Sequence, residues 1–253
     1  LLETAPPFTT DLRVNGDWDL RAGESLDGRL QLRRQSGDVR LTDPALAMGL
    51  TALTLDVDAA GSQAHLRLAA DTHEAGQLRL DGRGMLARTE TAFTLSRSAP
   101  LTWNARFDVP DLRLLKPFIP VGIRADARVD AQLSGSGSLA APRIDGRVAA
   151  DVIRFSMPEQ GVAITDGTLR LLLADDRVQV QEGVLKGTGG RIVVSGDAQL
   201  KNPQAGLTLT FEKFAATHRS DRNVTVSGTT RLNLDPKRLQ LTGELTADRA
   251  RLE

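Results

Sequence analysis

The sequence predicts an all-β chain, a long curled sheet of the β-taco kind: a solenoid-like, U-shaped groove with an apolar interior. Three observations carry that expectation. Apolar and polar residues alternate with period two along nearly the whole chain, the spacing that puts successive strand side chains on opposite faces. Glycine recurs on the apolar side of the alternating runs, as in Ile144-Asp145-Gly146-Arg147-Val148 and Val194-Ser195-Gly196-Asp197-Ala198. The apolar material is Leu, Val and Ala, with 4% aromatic residues and no Tyr, thin filling for a closed core. A glycine inside a strand weakens it and marks a bend, a bulge or a close approach. Here the mark repeats, at Gly16, Gly28, Gly82, Gly135, Gly228 and Gly243 as well, so a sheet bent again and again around an open trough is expected in preference to a sandwich or barrel packed on itself.

Taken in order, Leu12, Val14, Gly16, Trp18 and Leu20 alternate with polar residues, and Leu26, Gly28, Leu30 and Leu32 repeat the pattern after Ala22-Gly23-Glu24-Ser25. A hairpin is expected there. Ser36-Gly37-Asp38 marks the next turn, and Asp43-Pro44 opens a segment read as one helical turn before alternation resumes at Leu53, Leu55, Val57 and Ala59. Strands follow with Ala64, Leu66 and Leu68, then Leu78, Leu80, Gly82, Gly84 and Leu86, then Phe93 and Leu95. After Ser98-Ala99-Pro100, the residues Leu101, Trp103, Ala105, Phe107 and Val109 share a face until Pro110. Residues 111–116 are the best helix candidate, a short corner: Asp111 caps the first-turn N–H groups and Pro117 cannot continue it. Ile123, Ala125, Ala127, Val129, Ala131 and Leu133 then alternate, and strands are expected over 144–152, 169–173, 178–180, 192–200, 207–211, 224–234 and 239–247. The total is roughly fifteen strands with almost no helix. Gly16 with Gly28 and Gly135 with Gly146, offset by about 119 residues, fit a degenerate internal repeat.

Net charge is zero, from 32 basic and 32 acidic residues interleaved along the strands. No basic stripe is available to neutralise a phosphate backbone, which disfavours nucleic acid as a partner. Without cysteine there is neither a disulfide nor a thiolate metal site. No apolar run reaches the ~18 residues of a helical membrane span, and no signal peptide is visible. The chain starts at Leu1 and stops at Glu253 in mid-pattern; the expectation is one continuous β segment over 1–253, cut from a longer protein.

No constellation of residues supports catalysis, a metal or a cofactor. His65 and His73 flank Asp71 and Glu74 without the spacing of a helical zinc motif, and His73-Glu74 falls in a turn. Gly187-Thr188-Gly189-Gly190 has the glycine content of a phosphate loop, but a strand follows where such a loop needs a helix N-terminus, so a tight hairpin turn is expected. Asp175-Asp176 reads as a turn, and Asp56 with Asp58 as a wet strand face. Trp18 and Trp103 read as core more readily than as ligand clamps.

The apolar face is therefore the candidate site. Its expected lining is Leu66, Leu68, Leu78 and Leu80; Trp103, Ala105 and Phe107; Ala127, Val129, Ala131 and Leu133; Ile144, Val148 and Val152; Leu169, Leu171, Leu173, Val178 and Val180; Ile192, Val194, Leu207, Leu209 and Phe211; and Val224, Val226, Leu232, Leu239, Leu241 and Leu245. Fifteen strands about 4.8 Å apart make a trough of roughly 70 Å. Exposing an acyl chain to water costs about 0.8 kcal/mol per CH₂, so a two-chain lipid needs shielding to cross an aqueous gap. An apolar trough supplies it without chemistry.

The segments Leu101-Thr102-Trp103-Asn104-Ala105-Arg106-Phe107-Asp108-Val109-Pro110-Asp111-Leu112, Leu133-Ser134-Gly135-Ser136-Gly137-Ser138-Leu139-Ala140-Ala141-Pro142-Arg143-Ile144-Asp145-Gly146, Gln160-Gly161-Val162 with Asp166-Gly167-Thr168-Leu169, and Val194-Ser195-Gly196 stand in that order. Together they resemble the TamB family, the inner-membrane-anchored subunit of the translocation and assembly module, within the AsmA-like proteins of Gram-negative bacteria. The resemblance implies a periplasmic β-taco that carries phospholipid between the membranes, an inner-membrane anchor outside this segment, and an outer-membrane Omp85-type barrel, TamA, as partner. It implies no catalytic residues. Two other readings stay open: an assembly factor that pairs its sheet edge with outer-membrane β-barrel clients, and a structural β-solenoid of a surface protein, against which the irregular strand spacing counts.

Overall fold

The structure, a computed structural model, describes residues 8–42, 45–73, 75–89, 92–112, 119–201 and 203–252. Among them are eighteen strands and no helix: β1 (Phe8–Thr10), β2 (Arg13–Ala22), β3 (Leu26–Ser36), β4 (Val39–Thr42), β5 (Ala45–Ala47), β6 (Leu50–Ala60), β7 (Gln63–Thr72), β8 (Gln77–Arg88), β9 (Phe93–Leu95), β10 (Leu101–Val109), β11 (Arg124–Gly137), β12 (Pro142–Met157), β13 (Val162–Ala174), β14 (Arg177–Gly187), β15 (Arg191–Gln199), β16 (Gln204–His218), β17 (Arg222–Asp235) and β18 (Arg238–Leu252). Fifteen of them form a long antiparallel sheet that ends on β2 and β18 and does not close into a barrel. The remaining three, β1, β4 and β5, form a small sheet of their own. The chain divides into two compact units, Leu1–Phe118 with Ala131–Asp145, and Ile119–Asp130 with Gly146–Glu253.

In the first unit the period-two pattern and the pairing register agree strand after strand. Gly16, Leu32, Leu55, Leu68, Leu80 and Ala105 stand opposite one another across β2, β3, β6, β7, β8 and β10. One residue along, Asp17, Gln31, Asp56, Arg67, Asp81 and Asn104 make the corresponding polar row. A slip of one residue would exchange the faces, so alternation fixes the register.

The second unit repeats the arrangement. Gly167, Leu185, Ile192, Phe211, Gly228 and Leu245 form one row over β13 to β18. The neighbouring row, Thr168, Val184, Val193, Thr210, Thr229 and Glu244, belongs to the other face. Four glycines in these sheets are obligatory. Gly28, Gly196, Gly228 and Gly243 have φ of 126°, 132°, 137° and 144° in mid-strand, and a Cβ at any of them would meet the carbonyl of a residue on the adjacent strand. Only glycine populates that conformation. Gly146 shares it at 154° whereas Gly16 and Gly135 do not, so the two glycine pairs of the internal repeat behave alike.

The apolar faces are not sealed by a second layer. Among the described residues the buried apolar side chains are Leu50, Ala59, Ala105, Ala127, Ala131, Ile192, Phe214 and Ala215, and no large side chain is fully buried. A sandwich would bury one whole face of each strand.

Two local expectations change. Residues 45–47 are not a helical turn; they pair with Arg40, Leu41 and Thr42 as a strand of the small sheet, while Asp43 and Pro44 lie outside the described residues. Of the helical corner over 111–116, residues 113–116 lie outside the described residues, and Asp111 and Leu112 are not helical.

Candidate functional site

The site builds from the two apolar faces, each within its own unit. In the first unit Leu66, Leu68, Leu78, Leu80, Trp103, Ala105 and Phe107 lie on one face: Leu66 pairs with Gly82, which pairs with Trp103, and Leu78 pairs with Phe107. With Leu133, all of these but Leu68 line an apolar concavity of about 540 Å³ that also takes in Val57, Leu86, Leu95 and Leu101. The size is within the ordinary range for small-molecule sites. Trp18 does not pack as core. It stands on the terminal strand β2, paired only with Leu30, and is 70% exposed, because among the described residues no strand pairs with the far side of β2.

In the second unit Leu169, Gly183, Val194, Leu209, Thr230 and Gly243 form the central row, with Leu207, Leu232 and Leu241 on one side of it and Ile192, Phe211 and Leu245 on the other. Leu171 and Leu173 pair with Val180 and Val178, and Val226 with Phe214. No ionisable side chain interrupts these rows. Thr230 is their one polar member; it is 7% exposed and its Oγ1 has no hydrogen-bond partner. Ala127 is buried, Val129 and Val148 half-buried, in the same unit; Ala131 and Ile144 belong to the first.

Val152 is a correction. Its φ is +53° and it is 48% exposed, because a bulge at this residue reverses the alternation. Asp151 pairs with Arg170 and Arg154 with Asp126, each at 2.6 Å, so both charges sit on the polar face with only two residues between them. Ile153 takes the inward place, in contact range of Gly167. A similar bulge at Lys213, with φ of +48°, turns Phe214 inward beside Phe211, their rings 6.0 Å apart edge to face. In β14 the register shift between Gln179 and Val184 brings Leu185 inward. In the first two cases the signal was in the sequence as two residues between like-facing positions: Asp151 to Arg154, and the Glu212-Lys213 pair between two phenylalanines.

The opposite face is a lattice of cross-strand ion pairs. Asp58 takes Arg67 at 2.7 Å and Arg29 at 3.5 Å, Asp71 takes Arg79 at 2.7 Å, and Asp166 takes Lys186 at 3.1 Å. Glu212, bonded to Arg191 at 2.7 Å, raises that guanidinium's pKa. His65 bonds Asp81 at 2.7 Å instead of converging with His73, and among the described residues no group of three His, Asp or Glu is placed to hold a metal. Gly187 donates to Gly190 across the hairpin turn between β14 and β15. Asp176 caps the N–H of Leu200 and Lys201. At the junction with the small sheet, burial pushes the Asp38 carboxyl up, but N–H donors from Leu50, Val39 and Gly49 outweigh it and hold the pKa low.

Among the described residues the arrangement offers two apolar faces, each backed by a face of cross-strand ion pairs. Residues 179–253, most of β14 and all of β15 to β18, match the family described as the TamB C-terminal domain. That stretch resembles a TamB C-terminal domain. No curated protein and no solved structure gives a significant match. The TamB match contains all but Val178 and the β13 members of the second unit's apolar rows and three of the four obligatory mid-strand glycines, Gly196, Gly228 and Gly243. No helix among the described residues is long and apolar enough to cross a membrane.

Proposed function

We propose that this TamB-type chain is a periplasmic lipid-transport segment, its apolar face lining a groove for phospholipid acyl chains that pass between the inner and outer membranes in support of outer-membrane biogenesis. The observation that carries the reading is an apolar face in each unit that, among the described residues, buries no large side chain fully and leaves large apolar side chains exposed. Leu239 and Leu241, 67% and 61% exposed, are representative. Apolar surface left open at that scale marks a binding surface, and acyl chains are the ligand whose transfer from water it favours without directional contacts. The mid-strand glycines support a sheet curled about that face. The function is non-enzymatic. An inner-membrane anchor and an outer-membrane Omp85-type barrel, TamA, complete the machine by family resemblance.

One observation favours a second reading, an assembly factor for outer-membrane barrels: β18 is a fifteen-residue edge strand with an exposed apolar side, a template for strand addition. Native mass spectrometry of the purified protein separates the two. Co-purified phospholipid is expected; a lipid-free protein that captures a barrel-derived strand peptide puts the second reading first.

A further inference from the structure

Trp103 stands between two glycines in the first unit. Its register partner on β8 is Gly82. On β11 its indole fills the space a Gly135 side chain would need, so that a Cβ there would strike Nε1 and Cε2. With the ring laid over Gly135, the face on its other side stays open as the concavity of about 540 Å³, walled by Leu66, Leu80, Leu101 and Phe107 and floored by Gly82 and Gly84. That volume of about 540 Å³ is within the range of sites that enclose a small apolar ligand. One unbranched acyl chain fits it.

We propose that Trp103 is a gate held open by Gly135, and that this pair sets the concavity to take a single unbranched acyl chain. The proposal rests on the lipid reading above and adds to it a discrete station with a specificity-determining residue. Any side chain at position 135 must expel the indole from β11. The free volume beside the ring is the concavity itself, over Gly82 and Gly84, so the displaced ring fills the place of the ligand. The glycine is conformationally ordinary here, without the positive φ of Gly28 or Gly196, and its role is the space it leaves.

The test uses the full-length protein carrying Trp18→Phe, which leaves Trp103 as the sole tryptophan of this segment. Dibrominated stearate is expected to quench Trp103 saturably, and unbranched fatty acids to bind roughly threefold to fourfold more tightly per added methylene until the concavity is full, then level off. Gly135→Ala is expected to weaken stearate binding at least tenfold by calorimetry with an unchanged melting point, and Trp103→Ala added to it to restore binding. Equal binding by Gly135→Ala, or no restoration in the double variant, overturns the gate. Should Gly135→Ala melt early, Trp103→Ala alone decides: widening the wall is expected to admit phytanate, a methyl-branched chain the parent rejects, and continued rejection overturns the proposal. If stearate leaves Trp103 unquenched while phospholipid still crosslinks at Leu209, the gate fails and the lipid reading stands. If neither site takes lipid, both fail.

Discussion

Replacing Val194 with Asp places one carboxylate at the centre of the second unit's apolar face. Val194 stands opposite Leu209, and Leu209 opposite Thr230; on its other side is Gly183, which has no side chain. No base lies in that row, so the new charge has no partner. Val194 is half-buried on an open face, and in the lipid-free protein the carboxylate keeps much of its water. An acyl chain moving past strips that water away. An unpaired charge in apolar surroundings costs several kcal/mol, and ~2.7 kcal/mol already corresponds to a hundredfold in rate or affinity. Phospholipid transfer between donor and acceptor vesicles by the full-length protein is therefore expected to slow a hundredfold or more. The matched control is Ser195→Asp, one residue along, exposed and paired with Thr208 on the opposite face, where transfer is expected to stay at the parent rate. Circular dichroism and melting temperature establish that both variants fold. A folded Val194→Asp protein that transfers lipid as fast as the parent refutes the conduit.

Four further outcomes are expected. Single cysteines at Val148, Val194 and Leu209 react more slowly with a water-soluble maleimide than cysteines at Arg147, Val193 and Thr208; equal rates would reverse or abolish the assignment of faces. Thr230→Val removes a buried hydroxyl that has no partner and raises stability by about 1 kcal/mol, read from the urea midpoint; a lower midpoint would mean the hydroxyl is bonded. Gly228→Ala, at φ of +137° against the Glu244 carbonyl, lowers stability by about 1–3 kcal/mol, and an unchanged melting curve would show that the strand does not need this bend. Asp38 has a folded-state pKa below its ordinary value, so its stabilisation is present above the unfolded carboxylate pKa and is lost as pH falls through the folded one. The melting temperature should drop as pH falls through and below the ordinary carboxylate range, less steeply in Asp38→Asn, and parallel curves for the two proteins would remove Asp38 from the acid response.

What could be read from the sequence was whatever alternation and glycine encode. A strand shows its two faces in its own residues, which is why Leu66, Leu80, Val194 and Leu209 fall where the pattern puts them. It does not show its neighbours. Trp18 looks like core in the sequence of β2, and only the sheet order reveals a terminal strand whose tryptophan has one flank uncovered. Bulges are harder still, since one inserted residue reverses every face after it. Val152, a β-branched residue with positive φ, carries nothing in its own identity that announces one; the charge spacing from Asp151 to Arg154 does. Of the short strands, β1 and β4 were missed and β5 was read as a helical turn after Asp43-Pro44, while β9, equally short, was legible from Phe93 and Leu95 alone. The gate at Trp103 was invisible for another reason: Gly135 lies 32 positions away in the sequence, and nothing in either run indicates that an indole lies on that glycine.

The apolar face is tested most directly by site-specific photocrosslinking in cells. A photoreactive amino acid is placed at Leu209 and, in a second protein, at its neighbour Thr208, both in the full-length chain. Phospholipid crosslinked to position 209 and not to 208 is the expected result. Equal crosslinking at both positions, or none at either in a folded protein, contradicts a lipid-carrying face.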